Sequence, residues 1–474
     1  MNEQPILKEE LFAKLPPVWP DSLLGQIRAR VQAHGQRFVV LDDDPTGTQS
    51  VHGLPVLTEW TVESLVKELK RSPVFYVLTN SRALTEDAAV ALAHEIGANL
   101  TEAGRISGCG FAVGSRSDST LRGHFPAEVD AMAETIAGGA ADAFAGYVIA
   151  PYFAEGGRFT VGDVHYVQQG DTLQPAANTE FAQDRVFGYS HSALPEWVEE
   201  KTKGRVKAAD VVSITLDDLR RGGPSVVADK LMAMPTGGAA IVNSTDDRDQ
   251  EVFVMGLLDA EEAGRRFLYR TAASFVRVRG GIAKKPLLAL QETRSEGTQG
   301  GLVVVGSYVA KSSDQLQHAL KTPGVTGVEL SVDALLTAGR GDQELARAQD
   351  EIRRRLEAGE DVILYTSRTL RTGATDEENL AIGKTVSAAL CDIVSSLSAR
   401  PRFLIAKGGI TSSDVATRGL GVRRAMVLGQ LLAGIPVWEL GDESKFPGMP
   451  YVVFPGNVGQ PESLAEAIRL FRRQ

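Results

Sequence analysis

The chain has 474 residues, 43% of them hydrophobic, with 48 glycines, 21 prolines and a formal net charge of −10. That length exceeds what one ordinary core accommodates, so two domains are expected, and the acidic balance argues against nucleic acid or an anionic membrane as the main partner. Only Cys109 and Cys391 are present, which excludes a disulfide framework and a cysteine zinc site, and no run approaches the ~18 apolar residues of a membrane span.

The opening residues, 1–10, carry early acids and no apolar leader segment, so a cytoplasmic protein is expected. Short apolar runs then alternate with longer helical patterns. Strands are predicted over 37–41, 74–78, 147–150, 239–242, 302–305, 362–365, 403–406 and 451–454. Each is continuously apolar and followed by polar or glycine-rich residues, as strands buried on both faces of a parallel sheet should be. Helices are predicted over 86–100, 343–356 and 376–397. The fold class is α/β, with two domains, each built on a mainly parallel sheet flanked by helices. Ligands are expected beyond the carboxyl ends of the strands. The polar stretch 291–300 reads as the linker between an N-terminal domain, 1–290, and a C-terminal domain, 301–474.

The first strand runs into Asp42, Asp43 and Asp44, followed by Pro45, Thr46 and Gly47. Three adjacent acids after a buried strand repel one another, so a metal, a basic side chain or substrate hydroxyls should compensate them. The second strand ends near Arg82, and the strand 147–150 leads to Gly156, Gly157 and Arg158. The run 114–123 is the most informative: Arg116, Asp118, Ser119, Thr120 and Arg122 fall within seven residues, with glycine at each end. It is too polar for a core strand and suits a loop gripping a small polyhydroxylated anion, with arginine forks for carboxylate or phosphate and aspartate for hydroxyls.

In the C-terminal half, the strand 403–406 is followed by Lys407, Gly408, Gly409, Ile410 and Thr411, then by a helical pattern. Glycines let backbone N–H groups approach an anion at a helix start, and Lys407 could add charge. Similar turns follow at Gly306–Ser307 and at Gly456, Asn457 and Gly459. Gly383-Lys-Thr385 imitates the end of a phosphate-binding P-loop but lies inside a helical pattern and lacks the required preceding glycine. No GxGxxG is complete, and the seven histidines show no HxH or HExxH spacing. His124 and His165, near the polar loops, read as structural.

With these motifs the chain resembles the four-carbon acid sugar kinases, which include threonate, erythronate and 3-oxo-tetronate kinases. The resemblance runs from about Arg37 to the C-terminal region. It rests on Asp43–Gly47, on the intact Asp118–Gly123, on the region of Gly156, Gly157 and Arg158, on Gly306–Ser307 with Ser312 and Gln315, on Gly408–Thr411 and on Gly456–Gly459. Arg116 stands where the family usually has lysine, Pro45 where it has an apolar residue, Thr48 where it has alanine and Ile410 where it has glutamate. The resemblance implies an N-terminal sugar-acid domain, a C-terminal ATP domain and ATP-dependent phosphorylation with Mg²⁺. The partners implied are a sugar acid and ATP, with neither nucleic acid nor membrane, and a homo-oligomer is compatible with it. On that reading Asp43, Asp44 and Asp118 accept substrate hydrogen bonds, and Arg122 with Arg116 or Arg82 neutralises the substrate carboxylate. The ATP phosphates rest on Gly408, Gly409, Ile410 and Thr411 and contact Ser307 and Gly456. Two rivals are an NAD-dependent sugar-acid dehydrogenase, disfavoured by the missing dinucleotide fingerprint, and a non-catalytic sugar-acid sensor, disfavoured by the intact glycine loops.

Overall fold

The computed structural model of the chain describes residues 4–33, 35–140, 143–293, 299–369, 371–373 and 375–472. The chain forms two compact units, one of residues 1–51 and 59–284, the other of residues 52–58 and 285–474.

Seven strands form the main sheet of the first unit: β1 (Arg37–Asp42), β2 (Val74–Leu78), β3 (Phe111–Arg116), β4 (Gly146–Ala150), β5 (Val212–Ile214), β6 (Gly238–Val242) and β7 (Phe267–Thr271). Their order is β5-β6-β4-β7-β3-β1-β2, and all six adjacent pairs are parallel. β1, β2 and β4 are buried almost throughout, which is why they read as continuous apolar runs. The helices Glu86–Ser107 and Ala127–Ala137 pack on one another, and a smaller antiparallel sheet contains Arg158–Val161, Val164–Gln169 and Thr172–Pro175. The run 114–123 departs from expectation: Gly114, Ser115 and Arg116 complete β3, and the loop starts only at Ser117. A strand can end in polar residues here because the carboxyl edge of a parallel sheet faces the site rather than the core.

The second unit has β8 (Leu302–Val305), β9 (Val325–Leu330), β10 (Asp361–Thr366), β11 (Leu404–Lys407), β12 (Arg424–Leu432), β13 (Ile435–Leu440) and β14 (Pro450–Phe454). β14, β11, β8, β10 and β9 are parallel in that order, and β12 and β13 extend the sheet antiparallel beyond β14. A short strand from far upstream, Pro55–Leu57, pairs antiparallel with β12. Backbone bonds from Gly53 to Val427 and from Thr58 to Arg423 extend the attachment. Residues 52–58 thus belong with the C-terminal half, a long-range pairing that a reading of contiguous segments does not see. The expected linker 291–300 lies partly outside the described residues. Long helices Gly341–Glu357 and Asp376–Ser395 cover the regions where helical periodicity was read, and the second contains Gly383-Lys-Thr385. No helix among the described residues is long and apolar enough to cross a membrane.

Candidate functional site

In the first unit the predicted residues meet beyond the carboxyl ends of β1, β2 and β3. Asp42 and Asp43 are buried, and the acids are compensated by basic side chains. Arg116 lies 3.1 Å from the Asp42 carboxylate and 3.8 Å from that of Asp43. Arg82 grips Asp43 through two nitrogens and lies 3.5 Å from Asp44. Burial nevertheless pushes the Asp42 carboxyl up to about 7, and one of its oxygens has no hydrogen-bond partner. For Asp44 burial acts in the same direction, but Arg82 and the Thr46 hydroxyl outweigh it and hold this carboxyl below its ordinary range. Asp44 also accepts from the Thr46 N–H at 2.8 Å, capping the turn Pro45–Ser50. Gly47 is required there, since a Cβ would stand 2.0 Å from an Asp42 carboxylate oxygen.

The loop after β3 folds back on itself. Asp118 accepts from the Arg122 Nε at 2.7 Å and from the Thr120 hydroxyl. Against burial, Arg82 and Arg122 hold Asp118 well below the usual carboxylate range, so it is ionised at neutral pH. Ser117 donates to Asp43 at 3.1 Å, tying the first loop to this one. Gly123, at φ +123°, closes the turn in a conformation that suits glycine. Arg158, on the strand Arg158–Val161, has its guanidinium 5.5 Å from the centre of the Phe181 ring, and that of Arg122 lies 5.1 Å from the same ring. Burial lowers the Arg158 pKa, its Nε is buried without a partner, and no ion pair to it is found among the described residues. Arg116, by contrast, is committed to Asp42 and buried. It neutralises the acids from beneath.

Three buried side chains support this loop that the sequence reading did not assign to the site. Arg270 on β7 donates to the carbonyls of Asp118 (2.7 Å) and Arg122 (3.0 Å). His165 Nε2 lies 2.8 Å from the Ser119 carbonyl, and Tyr189 donates to the Thr120 carbonyl at 2.8 Å. Burial pulls the His165 pKa down to about 3, so the ring is neutral. Its Nε2 must carry the proton to meet the carbonyl, leaving Nδ1 to accept from the Thr160 hydroxyl at 2.9 Å. Only His165 had a local signal, its nearness to Arg158 in sequence. β7 was not read as a strand, so nothing pointed to Arg270.

In the second unit a cavity of about 630 Å³ is lined by Ser307, Gly408, Gly409, Ile410, Thr411, Gly456 and Asn457, together with Gly306. All the residues expected to hold nucleotide therefore face one space. Ser312 lies within the helix Ala310–Leu320 and joins two of the loops, donating to the Gly456 carbonyl at 2.9 Å and accepting from the Ser307 hydroxyl at 3.0 Å. Gln315 binds the Val458 and Gln460 carbonyls, each at 2.9 Å. Gly306 must be glycine because a Cβ would sit 2.4 Å from the Thr411 hydroxyl. Gly408, at φ +113°, gives the chain a turn that a side chain would strain.

Lys407 does not line this cavity. Its side chain is fully buried, and Nζ donates to the carbonyls of Pro455 (2.6 Å) and Gly456 (3.2 Å), 4.2 Å from the centre of the Phe454 ring. Burial, with Lys311 adding to it, brings its pKa to about 7. The far wall of the cavity was missed: Thr366 ends β10, Ser367 and Thr369 follow it, and Ile382, Gly383 and Val386 come from the helix Asp376–Ser395. Arg368 binds the Ser307 carbonyl at 2.8 Å. The rule that ligands gather beyond parallel strands would have pointed to 366–369. Gly383 faces the cavity as a helical residue and not as part of a phosphate loop.

Residues 38–279 match the sugar-binding N-terminal domain model, and residues 302–464 match the nucleotide-binding C-terminal domain model. The chain belongs to the four-carbon acid sugar kinase family. Two solved structures share the fold of this family member. The Haemophilus influenzae protein HI1011 is 16% identical with a TM-score of 0.61, over 91% of this chain and 99% of that one. A Salmonella typhimurium LT2 protein, provisionally described as a tRNA synthase, is 14% identical with a TM-score of 0.67, over 92% and 99% of the two chains. No curated protein matches the sequence significantly.

Proposed function

We propose that this protein transfers the γ-phosphoryl group of ATP to a hydroxyl of a short sugar acid, most simply one of four carbons. The observation that carries the reading is the ligand chemistry of the sugar-binding unit. Ionised Asp118 and the Asp43–Asp44 pair offer hydroxyl acceptors, beside a half-buried Arg158 without an ion-pair partner among the described residues. A carboxylate placed between Arg158 and Arg122 would satisfy that guanidinium, and the substrate hydroxyls would then fall to the aspartates. Arg82 and Arg116 fix the acids in place through ion pairs. The four main-chain carbonyls held by Arg270, His165 and Tyr189 give the loop a set geometry, which is what a reaction dependent on positioning requires.

The nucleotide-binding unit would take ATP in the cavity of glycine loops. Backbone N–H groups of Gly408–Thr411 would meet the phosphates, with Ser307, Gly456 and Asn457 beside them. Among the described residues no three His, Cys, Asp or Glu side chains group as a metal site. Mg²⁺ would therefore arrive on the nucleotide, whose phosphates and water supply most of its ligands. It would neutralise charge on the transferring group. A coupled ATPase assay across four-carbon and neighbouring sugar acids, with mass detection of the phosphorylated product, tests the proposal. Reduction of NAD by any of those acids, or binding of acid without turnover of ATP, would replace it.

A further inference from the structure

The sugar-binding unit contains a second cavity, of about 230 Å³, against one face of β1, β3 and β7 and under the helix Ala127–Ala137. It reaches Phe111 and Phe267, the first residues of β3 and β7, whereas the sugar-acid residues follow the other ends of the strands. Its wall is aromatic and apolar: Phe111, Phe144, Phe267, Tyr269, Met132 and Ile136. Protein interiors are close-packed, and an apolar space of about 150 Å³ already accommodates a benzene ring.

The charged groups at this cavity are unevenly committed. Glu128 accepts from the Ser81 hydroxyl at 2.8 Å, and Glu261 is paired with Arg279 at 2.6 Å and bonded by the Tyr269 hydroxyl. Both carboxylates are thus occupied. Arg266 is not: among the described residues no carboxylate pairs with it, and its guanidinium lies 4.5 Å from the centre of the Phe144 ring. Arg265 beside it donates to the Met234 carbonyl through one nitrogen, and its buried Nε has no partner. Phe111, Ile136 and Arg266 also line an outer depression of about 320 Å³, so they stand at the mouth.

We propose that this cavity binds a small amphipathic acid, its apolar body of about one aromatic ring lying against Phe111, Met132, Phe267 and Tyr269 and its carboxylate on Arg266 and Arg265. Most ligand pockets share this division, an apolar wall with a few convergent polar groups. Glu128 lines the cavity and also holds Ser81, next to Arg82, so the occupant lies one hydrogen bond from the sugar-acid loops. The inference stands on the cavity alone and is independent of the kinase reading.

Titration of the full chain with phenylacetate, 2-phenylethanol and phenethylamine, by calorimetry or ligand-observed NMR, tests it. Phenylacetate should bind saturably at one site, about fivefold or more tighter than the alcohol, with the amine weakest. Arg266→Ala, at an exposed side chain, should erase the preference for acid over alcohol. Ala133→Trp, on the helix face lining the cavity, should abolish binding. If that variant fails to fold, Arg266→Glu serves instead and should invert the preference toward the amine. No saturable phenylacetate binding, an amine that binds as tightly as the acid, or binding unchanged by the Arg266 variants would overturn the proposal.

Discussion

Replacing Lys407 with methionine should change how the stability of the protein depends on pH. The wild-type side chain is fully buried and its pKa is drawn down by burial to about 7, whereas an unperturbed lysine titrates at 10.5. Between those values the unfolded chain carries a proton that the folded chain lacks. Stability therefore rises with pH across the window from about 7 to 10.5 and is lost as pH falls through it toward 7. At roughly 1.4 kcal/mol per pH unit, the contribution differs by about 3–4 kcal/mol between pH 6.5 and 9.5. Methionine cannot titrate, so that slope should vanish. The substitution also strands the carbonyls of Pro455 and Gly456, at a cost of about 1–3 kcal/mol for each left without water. The variant should accordingly be clearly the weaker protein at pH 9.5, and should approach or exceed wild-type stability at pH 6.5. Urea unfolding of both proteins at the two pH values provides the comparison. A stability difference that is the same at both would refute the argument, because it would mean that Lys407 folds with its proton on.

The same lysine should take up a proton when ATP binds near pH 7.5, since phosphates near Gly456 would raise its pKa. Calorimetry in buffers of different ionisation enthalpy would show this, and the Lys407→Met variant should lack the effect. Arg122→Ala should weaken sugar-acid binding by about 2–5 kcal/mol while leaving the Michaelis constant for ATP nearly unchanged, and equal losses in both would assign Arg122 to the fold instead. Gly306→Val should lose nucleotide affinity but keep sugar-acid binding, because its side chain would displace Thr411 from the cavity wall; direct titration with each ligand tests it. Gly47→Ala should cost about 3 kcal/mol by pushing the Asp42 carboxylate off Arg116. Shortening Asp42 to serine in the same chain should recover part of that loss in a double-mutant cycle.

Much of this molecule was legible in its sequence where burial is extreme. All eight strands predicted from apolar runs exist, because strands covered on both faces have no room for polar residues. β7 was harder to read, since Phe-Leu-Tyr-Arg-Thr carries a buried arginine whose purpose is to hold a loop contributed by residues 118–122. β12 was missed for a different reason. Its burial alternates along Arg424–Leu432, but leucine occupies both faces and Met426 stands on the less buried one, which blurs the period of two. The glycine loops were readable because their turns need glycine wherever they occur. The opposite wall of the nucleotide cavity was not, since a helix flank such as Ile382–Val386 looks the same whether it faces a ligand or a core. The pairings of Arg116 with Asp42, and of Arg122 with Asp118, decide which guanidinium is free for a substrate. Such choices are made by rotamers and distances, and no spacing in the sequence encodes them.

The attachment of residues 52–58 to β12 bears on how this protein can be taken apart. The chain passes between its two units three times, after Val51, after Thr58 and after Lys284. A gene fragment beginning at residue 285 would encode the nucleotide-binding unit without the strand Pro55–Leu57, leaving the outer edge of β12 with unpaired backbone groups. The complementary fragment would carry that strand without β12, its antiparallel partner. Anyone exchanging halves between members of this family should therefore move the heptad 52–58 together with the C-terminal half. A two-piece exchange at the obvious junction would join a sheet edge from one protein to a capping strand from another, and solubility would then report on that mismatch rather than on either candidate site.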